Sequence, residues 1–393
     1  MKFSFLQKQK QNKSLTLLID IGSASVGVAL TEIHEGKPPQ IHKSVRETIP
    51  FHDVLSSPRF LIAMNHALMR ALARVQEETK EFGAPVHIVC TLASPWFILK
   101  SRHLRIERTV AFEITERTLA EFLLEDIEKL KEEIKDILPA PQIEIIEKHV
   151  IRVKLNGYEV KNPYAQKTTH AEVDVVTGVS SKRVIESIKH VLGSFFQNET
   201  IRFGAFPVAA FSAIRDVFLH EESFLFLDIT GEATDVSLVR DNLLMGTVSF
   251  PYGKNFFIRK LSAGLQAPQE DAVSTFAMFL SGTLDQKKHG RVKGIVEASS
   301  AEWLASFENA LGELSREGAL PHKIFFSSDD DIAKIFSSLI QEAKSTLLRG
   351  EKFEAQCLDQ FIVARFVSFD TGVVRDPFIV IEALFAQKLF VQK

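Results

Sequence analysis

Two short segments of the chain combine an aspartate with small residues in a pattern suited to phosphate chemistry. Each segment is an apolar strand that ends in an aspartate and then enters a turn of glycine, serine or threonine. The residues that could face a ligand are Asp20, Gly22, Ser23 and Ser25 in the first turn and Asp228, Thr230, Gly231 and Thr234 in the second. Small residues let backbone N–H groups approach phosphate oxygens, and a carboxylate can hold a hydrated Mg²⁺. The pattern therefore indicates a phosphate-binding loop at each turn.

Two such turns are more informative than one. A single Asp-x-Gly turn between strands is most often only a turn. Two copies, each behind an apolar strand, favour a shared site in which facing turns hold the phosphates of a nucleotide from both sides. In that site Asp20 would position Mg²⁺ and Asp228 would hold its water shell, while Gly22, Ser23, Gly231 and Thr234 would donate hydrogen bonds to the phosphates.

The elements around the two aspartates match each other. In both places three strands follow in order, separated by two turns, and the segments 20–30 and 228–238 share the leading Asp-Ile and the pattern of the next strand. An internal duplication of an α/β half explains this match. The expected division is a basic arm at 1–14, a first half at 15–93 and 171–220, an inserted subdomain at 94–170 and a second half at 221–393.

The insert at 94–170 differs in character from the segments around it. Strand-like alternation is followed by a charged helix whose apolar residues, from Leu119 to Ile137, lie on one face. Asn156-Gly157 then gives the strongest short-range signal for a hairpin. The sequence therefore predicts a small α+β subdomain here.

Composition excludes several classes of protein. The 47 Lys and Arg residues against 50 Asp and Glu give a formal charge of −3, so no nucleic-acid partner is expected. The apolar stretches are broken by charge well before about 18 residues, which predicts no transmembrane helix. The two cysteines, Cys90 and Cys357, are too few for a disulfide framework and fit a reducing cytoplasm.

The motifs resemble those of the superfamily that contains actin, Hsp70 and the sugar kinases. Ile19 to Ser23 is similar to its first phosphate motif, and Leu227 to Val236 is similar to its second, including the Thr-Asp ending. The position of the insert resembles the FtsA family of bacterial cell-division proteins, which carry an SHS2 domain there. The PilM family of type IV pilus assembly proteins is the close alternative.

This resemblance implies an actin-like, ribonuclease H-like fold with duplicated α/β halves around a nucleotide cleft and an SHS2-like insert. It implies ATP and Mg²⁺ as cofactors, with Asp20 and Asp228 binding the metal through water. The segment Phe250 to Asn255 lies where the family has a Pro-x-Gly-Gly-x sequence, which adds Gly253 to the phosphate-binding residues.

Two departures from the family pattern lower the expected affinity for nucleotide. The second turn keeps one glycine, Gly231, and the following Glu232 would repel a phosphate unless a metal or lysine intervened. The segment expected beneath the adenine, Ile324 to Asp331, holds three aspartates and no pair of glycines. A degenerate ATPase at most is expected, and no residue can be named as catalytic.

The resemblance favours a cytoskeletal adaptor or scaffold over an enzyme. Its protein partners would belong to a division or pilus machinery, and the insert would supply a surface for partners or for self-polymerisation. The arm at 1–13, with its lysines and apolar start, could contact an anionic membrane at the cytoplasmic face of the inner membrane. The alternative from another class is an ATPase or small-molecule kinase, for which the chain offers no catalytic base. The apolar helix from Pro377 is expected to pack in the second half.

Overall fold

The computed structural model describes residues 14–51, 57–197, 200–343 and 352–391. The arm expected at 1–13 lies outside these residues. The strands are β1 (Ser14–Ile21), β2 (Ser25–Ile33), β3 (Gln40–Thr48), β4 (His87–Leu92), β5 (Ile98–Glu113), β6 (Ile143–Leu155), β7 (Tyr158–Glu159), β8 (Lys167–Ser181), β9 (Ile201–Ala205), β10 (Phe224–Ile229), β11 (Thr234–Arg240), β12 (Leu243–Phe250), β13 (Lys323–Ser327), β14 (Glu354–Cys357) and β15 (Ser368–Phe369).

The helices, in chain order, are α1 (Ser57–Glu78), α2 (Glu116–Glu133), α3 (Lys182–Gly193), α4 (Phe206–Val217), α5 (Lys254–Leu265), α6 (Gln269–Leu280), α7 (Gln286–Leu314), α8 (Ala333–Glu342), α9 (Gln360–Val363) and α10 (Pro377–Val391). Within the described ranges, no helix combines the length and the apolar character needed to cross a membrane.

The duplication expected from the sequence is visible in two sheets. The first has the order β15-β3-β2-β1-β4-β9 and the second the order β12-β11-β10-β13-β14. In each, an antiparallel three-stranded meander is extended by two parallel strands. The two aspartates take the same place, since Asp20 pairs with Gly27 and Asp228 with Asp235 on the following strand. The duplicated α/β fold is therefore confirmed.

The central strand of each sheet is buried on both faces. Every residue of β10 is buried, and β1 is buried from Thr16 onward. Strands covered on both sides are built from continuous apolar residues, as in Leu17-Leu18-Ile19 and Phe224-Leu225-Phe226-Leu227. An aspartate at the end of such a strand is held out of water, and this sets the chemistry of the site.

The insert is a four-stranded sheet, β5-β8-β6-β7, covered on one face by α2. The predicted turn at Asn156-Gly157 is present, with φ values of 50° and 85° between β6 and β7. β8 pairs with β5 and β6 as far as Val179 and Ser181, so the expected boundary at 170 falls inside a strand. The strand continues past residue 170 because its side chains alternate between two cores. Val175 packs in the core of the insert and Val176 packs in the core of the first half.

The end of the chain does not belong to the second half as expected. β15 pairs with β3 of the first sheet, and α10 packs against α4, β1 and β2. Ile379, Val380 and Ala383 are fully buried there. The assignment of 221–393 to the second half is therefore wrong from β15 onward. A helix that is apolar on all sides must be enclosed, but its sequence does not indicate which sheet encloses it.

Candidate functional site

The two predicted turns face each other at the ends of β1 and β10. The first turn is closed by a hydrogen bond from Gly22 N to Ser25 O, 3.0 Å long, and the second by one from Thr230 N to Ala233 O, 2.9 Å long. The indole of Trp96 donates to Gly22 O at 2.8 Å and fixes the first turn against the start of the insert. The fold thus brings together the two turns that the sequence predicted as a site.

The turns contact each other directly. Ser23 Oγ donates to Thr230 Oγ1 at 2.8 Å and accepts from Glu232 N at 2.9 Å. The backbones are equally close, because a Cβ atom on Gly231 would lie 2.7 Å from the Cβ of Ala24. The backbone amide of Glu232 and the hydroxyl of Ser23, two groups suited to phosphate, bind one another instead.

Arg46, which sequence reasoning missed, fills the space beside Asp20. Its guanidinium donates to Asp20 Oδ2 at 2.8 Å, to Ser25 Oγ at 2.9 Å and to both oxygens of Asp376 at 2.6 and 3.1 Å. Its Cζ lies 4.9 Å from the centre of the Phe378 ring. Burial opposes the charge of Arg46, but Asp376 and Asp20 raise its pKa above the usual value. Burial also raises the pKa of Asp20, an effect that Arg46 opposes.

Asp376 connects this cluster to the last helix. Its Oδ1 accepts hydrogen bonds from Phe378 N and Ile379 N at 3.0 and 3.3 Å, as the N-cap of α10. An aspartate before a proline at the first helical position is a recognisable start signal, so Asp376 could have been found from the sequence. Arg46 offers no such signal, since it is one charged residue on an alternating strand.

Asp228 meets a hydroxyl group where Asp20 meets a guanidinium. Ser327 Oγ donates to Asp228 Oδ1 at 2.7 Å, and Ser94 Oγ donates to the neighbouring Asp235 at 2.7 Å. The other oxygen of each aspartate is buried without a hydrogen-bond partner. Burial first, and Asp235 second, raise the pKa of Asp228 well above its usual value. Burial and the neighbouring Asp235 both favour the neutral form of this carboxyl, which has a hydroxyl and no cation as its hydrogen-bond donor.

Glu382 is a further buried acid that the sequence did not reveal. It lies in the middle of α10, fully buried, and accepts a hydrogen bond from Thr91 Oγ1. Its second oxygen has no partner. Burial and the nearby Asp20 raise its pKa well above the usual value. A helix that is otherwise largely apolar thus carries one buried acid to the side chain of Thr91 on β4.

Two predicted phosphate ligands are used for structure. Thr234 Oγ1 donates to Tyr252 O at 2.7 Å and accepts from the Trp303 indole at 3.2 Å. A Cβ atom on Gly253 would lie 2.2 Å from Thr230 O, so Gly253 lets α5 approach the second turn. The first amides of α5, Lys254 N and Asn255 N, donate at 3.0 and 2.7 Å to the carbonyls of residues 230 and 231.

Among the acidic residues that depart from the family pattern, Glu232, Asp329 and Asp331 are each bonded to a cationic side chain. Glu232 is buried and accepts hydrogen bonds from Arg259 and from Asn255 Nδ2, the latter at 2.7 Å. An arginine on α5 therefore takes the role that the sequence analysis left to a metal or lysine. Lys254 Nζ bonds Asp329 at 3.0 Å and Asp331 at 2.8 Å, in the segment expected beneath an adenine.

The space left between the turns is small. The cavity bounded by Asp20, Arg46, Asp228, Gly231 and Phe378 has a volume of about 30 Å³, whereas sites for small-molecule ligands are roughly 300–1,000 Å³. Among the described residues, no three His, Cys, Asp or Glu side chains are grouped to hold a metal ion. Asp20 is bonded to Arg46 and the two turns bind each other, so the residues as arranged do not fit a magnesium–nucleotide complex.

Comparison with solved structures defines the class of fold. The PilM protein of a PilM–PilN type IV pilus biogenesis complex is 13% identical and superposes with a TM-score of 0.65 over 95% of this chain and 98% of that one. The ethanolamine utilization protein EutJ from Carboxydothermus hydrogenoformans is 12% identical, with a TM-score of 0.45 over 95% of this chain and 89% of that one. A Bacteroides thetaiotaomicron protein with an actin-like ATPase fold and unknown function is 11% identical, with a TM-score of 0.42 over 98% and 99% of the two chains.

The chain therefore has the actin-like ATPase fold that the sequence resemblance implied. Proteins of this fold generally bind a nucleotide and Mg²⁺, which makes the filled cleft of this chain a departure from its structural class. No protein-family model matches the sequence, and no curated protein matches it.

Proposed function

We propose that this protein is a scaffold of the actin-like fold that binds other proteins, in a role like that of PilM in type IV pilus assembly, and that it does not use ATP. The observation that carries this proposal is the direct contact between the two turns through Ser23, Thr230 and Glu232. An ATPase or kinase needs a triphosphate at this place, and the cavity of about 30 Å³ leaves no room for one. The likeness to PilM over nearly the whole of both chains supports the same class of function.

A groove between the insert and the first half is suited to a protein partner. It has a volume of about 500 Å³, within the roughly 300–1,000 Å³ typical of binding sites. The apolar residues that line it are Phe60, Leu61, Trp96, Phe97, Ile137 and Leu138. The rings of Phe60 and Trp96 stack at 4.7 Å, and Gln142 and Arg183 supply polar groups at its edge. An extended segment with apolar side chains matches this groove.

A partner titration tests the proposal. Ile137 is 74% exposed in the groove and Leu219 is 76% exposed elsewhere, so Ile137→Asp and Leu219→Asp form a matched pair. A PilN-type protein of the same organism should bind the wild-type chain and the Leu219→Asp variant equally. Ile137→Asp should weaken binding about tenfold or more, because a charge enters an apolar contact. Equal binding by all three proteins, or no binding by wild type, would contradict the proposal.

An FtsA-like adaptor in cell division is the narrower alternative, and the Thr234-Asp235 ending of the second turn is the feature that favours it. A gene for a tubulin-like division protein beside this one would support that role, whereas pilus genes would support the first. Self-assembly through the insert and membrane contact by residues 1–13 stay predictions. Sedimentation with anionic liposomes, comparing the full chain with one that begins at Ser14, tests the membrane contact. Sedimentation of the full chain without liposomes tests self-assembly.

A further inference from the structure

We propose that the cleft is closed without any cofactor. The guanidinium of Arg46 pairs with Asp20 where a metal ion would otherwise lie, and the two turns bind each other where a nucleotide would otherwise lie. This inference deepens the proposed function, because a scaffold that uses no nucleotide needs its own groups to hold the cleft in one state. Ion pairing, shape and hydrogen bonding support it separately.

The first argument is the ion pairing of Asp20. Asp20 was the expected metal ligand, yet its Oδ2 lies 2.8 Å from Arg46 Nη2. The same guanidinium bonds the two oxygens of Asp376 and the hydroxyl of Ser25. A planar guanidinium matches carboxylate geometry with two parallel bonds. A metal ion at Asp20 would have to displace an arginine that is already bonded on three sides.

The second argument is the shape of the space around the guanidinium. A Cβ atom on Gly27 would lie 2.7 Å from Arg46 Nη2, so a larger residue at this position would push the guanidinium out of its present place. The Phe378 ring lies 4.9 Å from Arg46 Cζ and covers the group as a cation–π partner. In the second half, the residue that corresponds to Gly27 is Asp235. The first half is therefore shaped for the arginine.

The third argument is that the donors suited to phosphate are already used. Glu232 N donates to Ser23 Oγ, which donates in turn to Thr230 Oγ1. Ser94 lies between β4 and β5, and its Oγ donates to Asp235 of the second half at 2.7 Å. These contacts join the two halves, and a nucleotide could enter only after the Ser23 contacts broke.

Removal of the guanidinium should create a cation site. Asp20 and Asp376 would lose their bonded cation, and both lie near enough to the buried Glu382 to raise the pKa of its carboxyl. A buried carboxylate that loses its partner is costly. A small cation with the shape of the lost group, such as methylguanidinium, should therefore bind in the vacated space.

The test compares thermal unfolding of wild type, Arg46→Ala and Arg46→Lys. Arg46→Ala should lower Tm by about 5 °C or more, and Arg46→Lys should lower it less because it keeps the charge. Methylguanidinium at millimolar concentration should raise the Tm of Arg46→Ala and leave that of wild type unchanged. A Tm of Arg46→Ala equal to that of wild type, or the same response to methylguanidinium in both, would overturn the inference.

Hydrogen exchange of the wild-type protein provides a second measurement in case Arg46→Ala does not fold. The amide of Glu232 should exchange slowly, and Mg-ATP should not change its rate. Fast exchange that Mg-ATP slows would overturn the inference. The partner titration with Ile137→Asp is independent of these readouts. Partner binding without methylguanidinium rescue would therefore reject only the role of Arg46, and rescue without partner binding would reject only the scaffold.

Discussion

The first and second turns occupy the same place in two duplicated sheets, yet they neutralise their aspartates in different ways. Asp20 lies opposite a glycine, and the space beside it holds the guanidinium of Arg46. Asp228 lies opposite Asp235, and its hydrogen-bond donor is the hydroxyl of Ser327. A buried acid can be stabilised by a cation or by its own proton. In this protein Asp20 is paired with a cation, whereas Asp228 has a hydroxyl donor and a raised pKa, which favours its neutral form.

The comparison explains why the cleft no longer resembles a metal site. A hydrated metal between the halves needs both carboxylates ionised and facing it. Here one carboxylate is bonded to an arginine and the pKa of the other is raised well above its usual value. The two halves share the backbone arrangement but differ in the groups that surround their aspartates.

The largest expected effect comes from the glycines of the two turns. Gly231→Ala would place a Cβ atom 2.7 Å from the Cβ of Ala24 in the opposite turn, whereas Gly22→Ala would meet only Ser25 O of its own turn, at 3.0 Å. Gly231→Ala should therefore destabilise the protein by about 2 kcal/mol and Gly22→Ala by less, since only the first forces the turns apart. Urea unfolding of both variants measures the difference, and equal losses would show that the contact between the turns does not hold the halves together.

The second effect follows from the raised pKa of Asp228. Its folded pKa lies above the usual 3.8, so the wild type loses stability as pH rises from about 4 through that higher pKa. The side chain of Asp228→Asn does not titrate. It should match wild type near pH 4 and exceed its free energy of unfolding by about 1 kcal/mol or more near pH 7.

The matched control for that experiment is Asp241→Asn, at an exposed aspartate in the next turn of the same sheet. It should follow the wild-type dependence on pH. If Asp228→Asn were less stable than wild type at neutral pH, Asp228 would be an ionised ligand, and the contrast between the two turns would fail.

The smallest effect concerns Glu147 of the insert, an acid whose side chain is 5% exposed. Its Oε1 accepts from Ala205 N at 2.7 Å, at the start of α4, and its Oε2 lies 3.0 Å from His149 Nε2. The hydrogen bond to Glu147 raises the pKa of His149 against the opposing effect of burial. The stabilisation is full below about pH 6.5 and is lost as pH rises through the higher folded pKa.

Because the His149 side chain is 37% exposed, this pair should contribute only about 0.5 kcal/mol. In urea unfolding, the wild type should lose free energy of unfolding of about this size between about pH 6 and pH 8, and His149→Gln should not show this loss. An unchanged dependence on pH would show that the backbone amide of Ala205, without the histidine, is enough to hold the Glu147 carboxylate.

Much of the fold could be predicted because local patterns determine it. The repeated Asp-Ile with its turn located both hairpins, and Asn156-Gly157 located the turn of the insert. The C-terminal boundary of the insert could not be predicted, since alternate residues of β8 pack in the core of the insert and in the core of the first half. The position of α10 could not be predicted either, because an apolar helix carries no information about which sheet it joins.

The residues of the two turns were identified correctly as neighbours, but the groups that fill the site were not found. Arg46 bonds Asp376 across 330 positions of the chain, and no local pattern relates an arginine on a half-buried strand to a helix cap so far away. Glu382 was hidden in a run of apolar residues. The loss of all glycines but Gly231 from the second turn was a visible departure from the family pattern. The structure explains why Gly231 itself is glycine, because Ala24 of the opposite turn approaches it closely.

The measurement that tests the central claim most directly is a calorimetric titration of the full chain with Mg-ATP. A cleft filled by Arg46 and closed by Ser23, Thr230 and Glu232 predicts no heat beyond dilution at millimolar nucleotide, and none for the Asp20→Asn variant. A saturable heat with one nucleotide per chain, lost in Asp20→Asn, would contradict the account and restore Asp20 as the ligand of a metal–nucleotide complex.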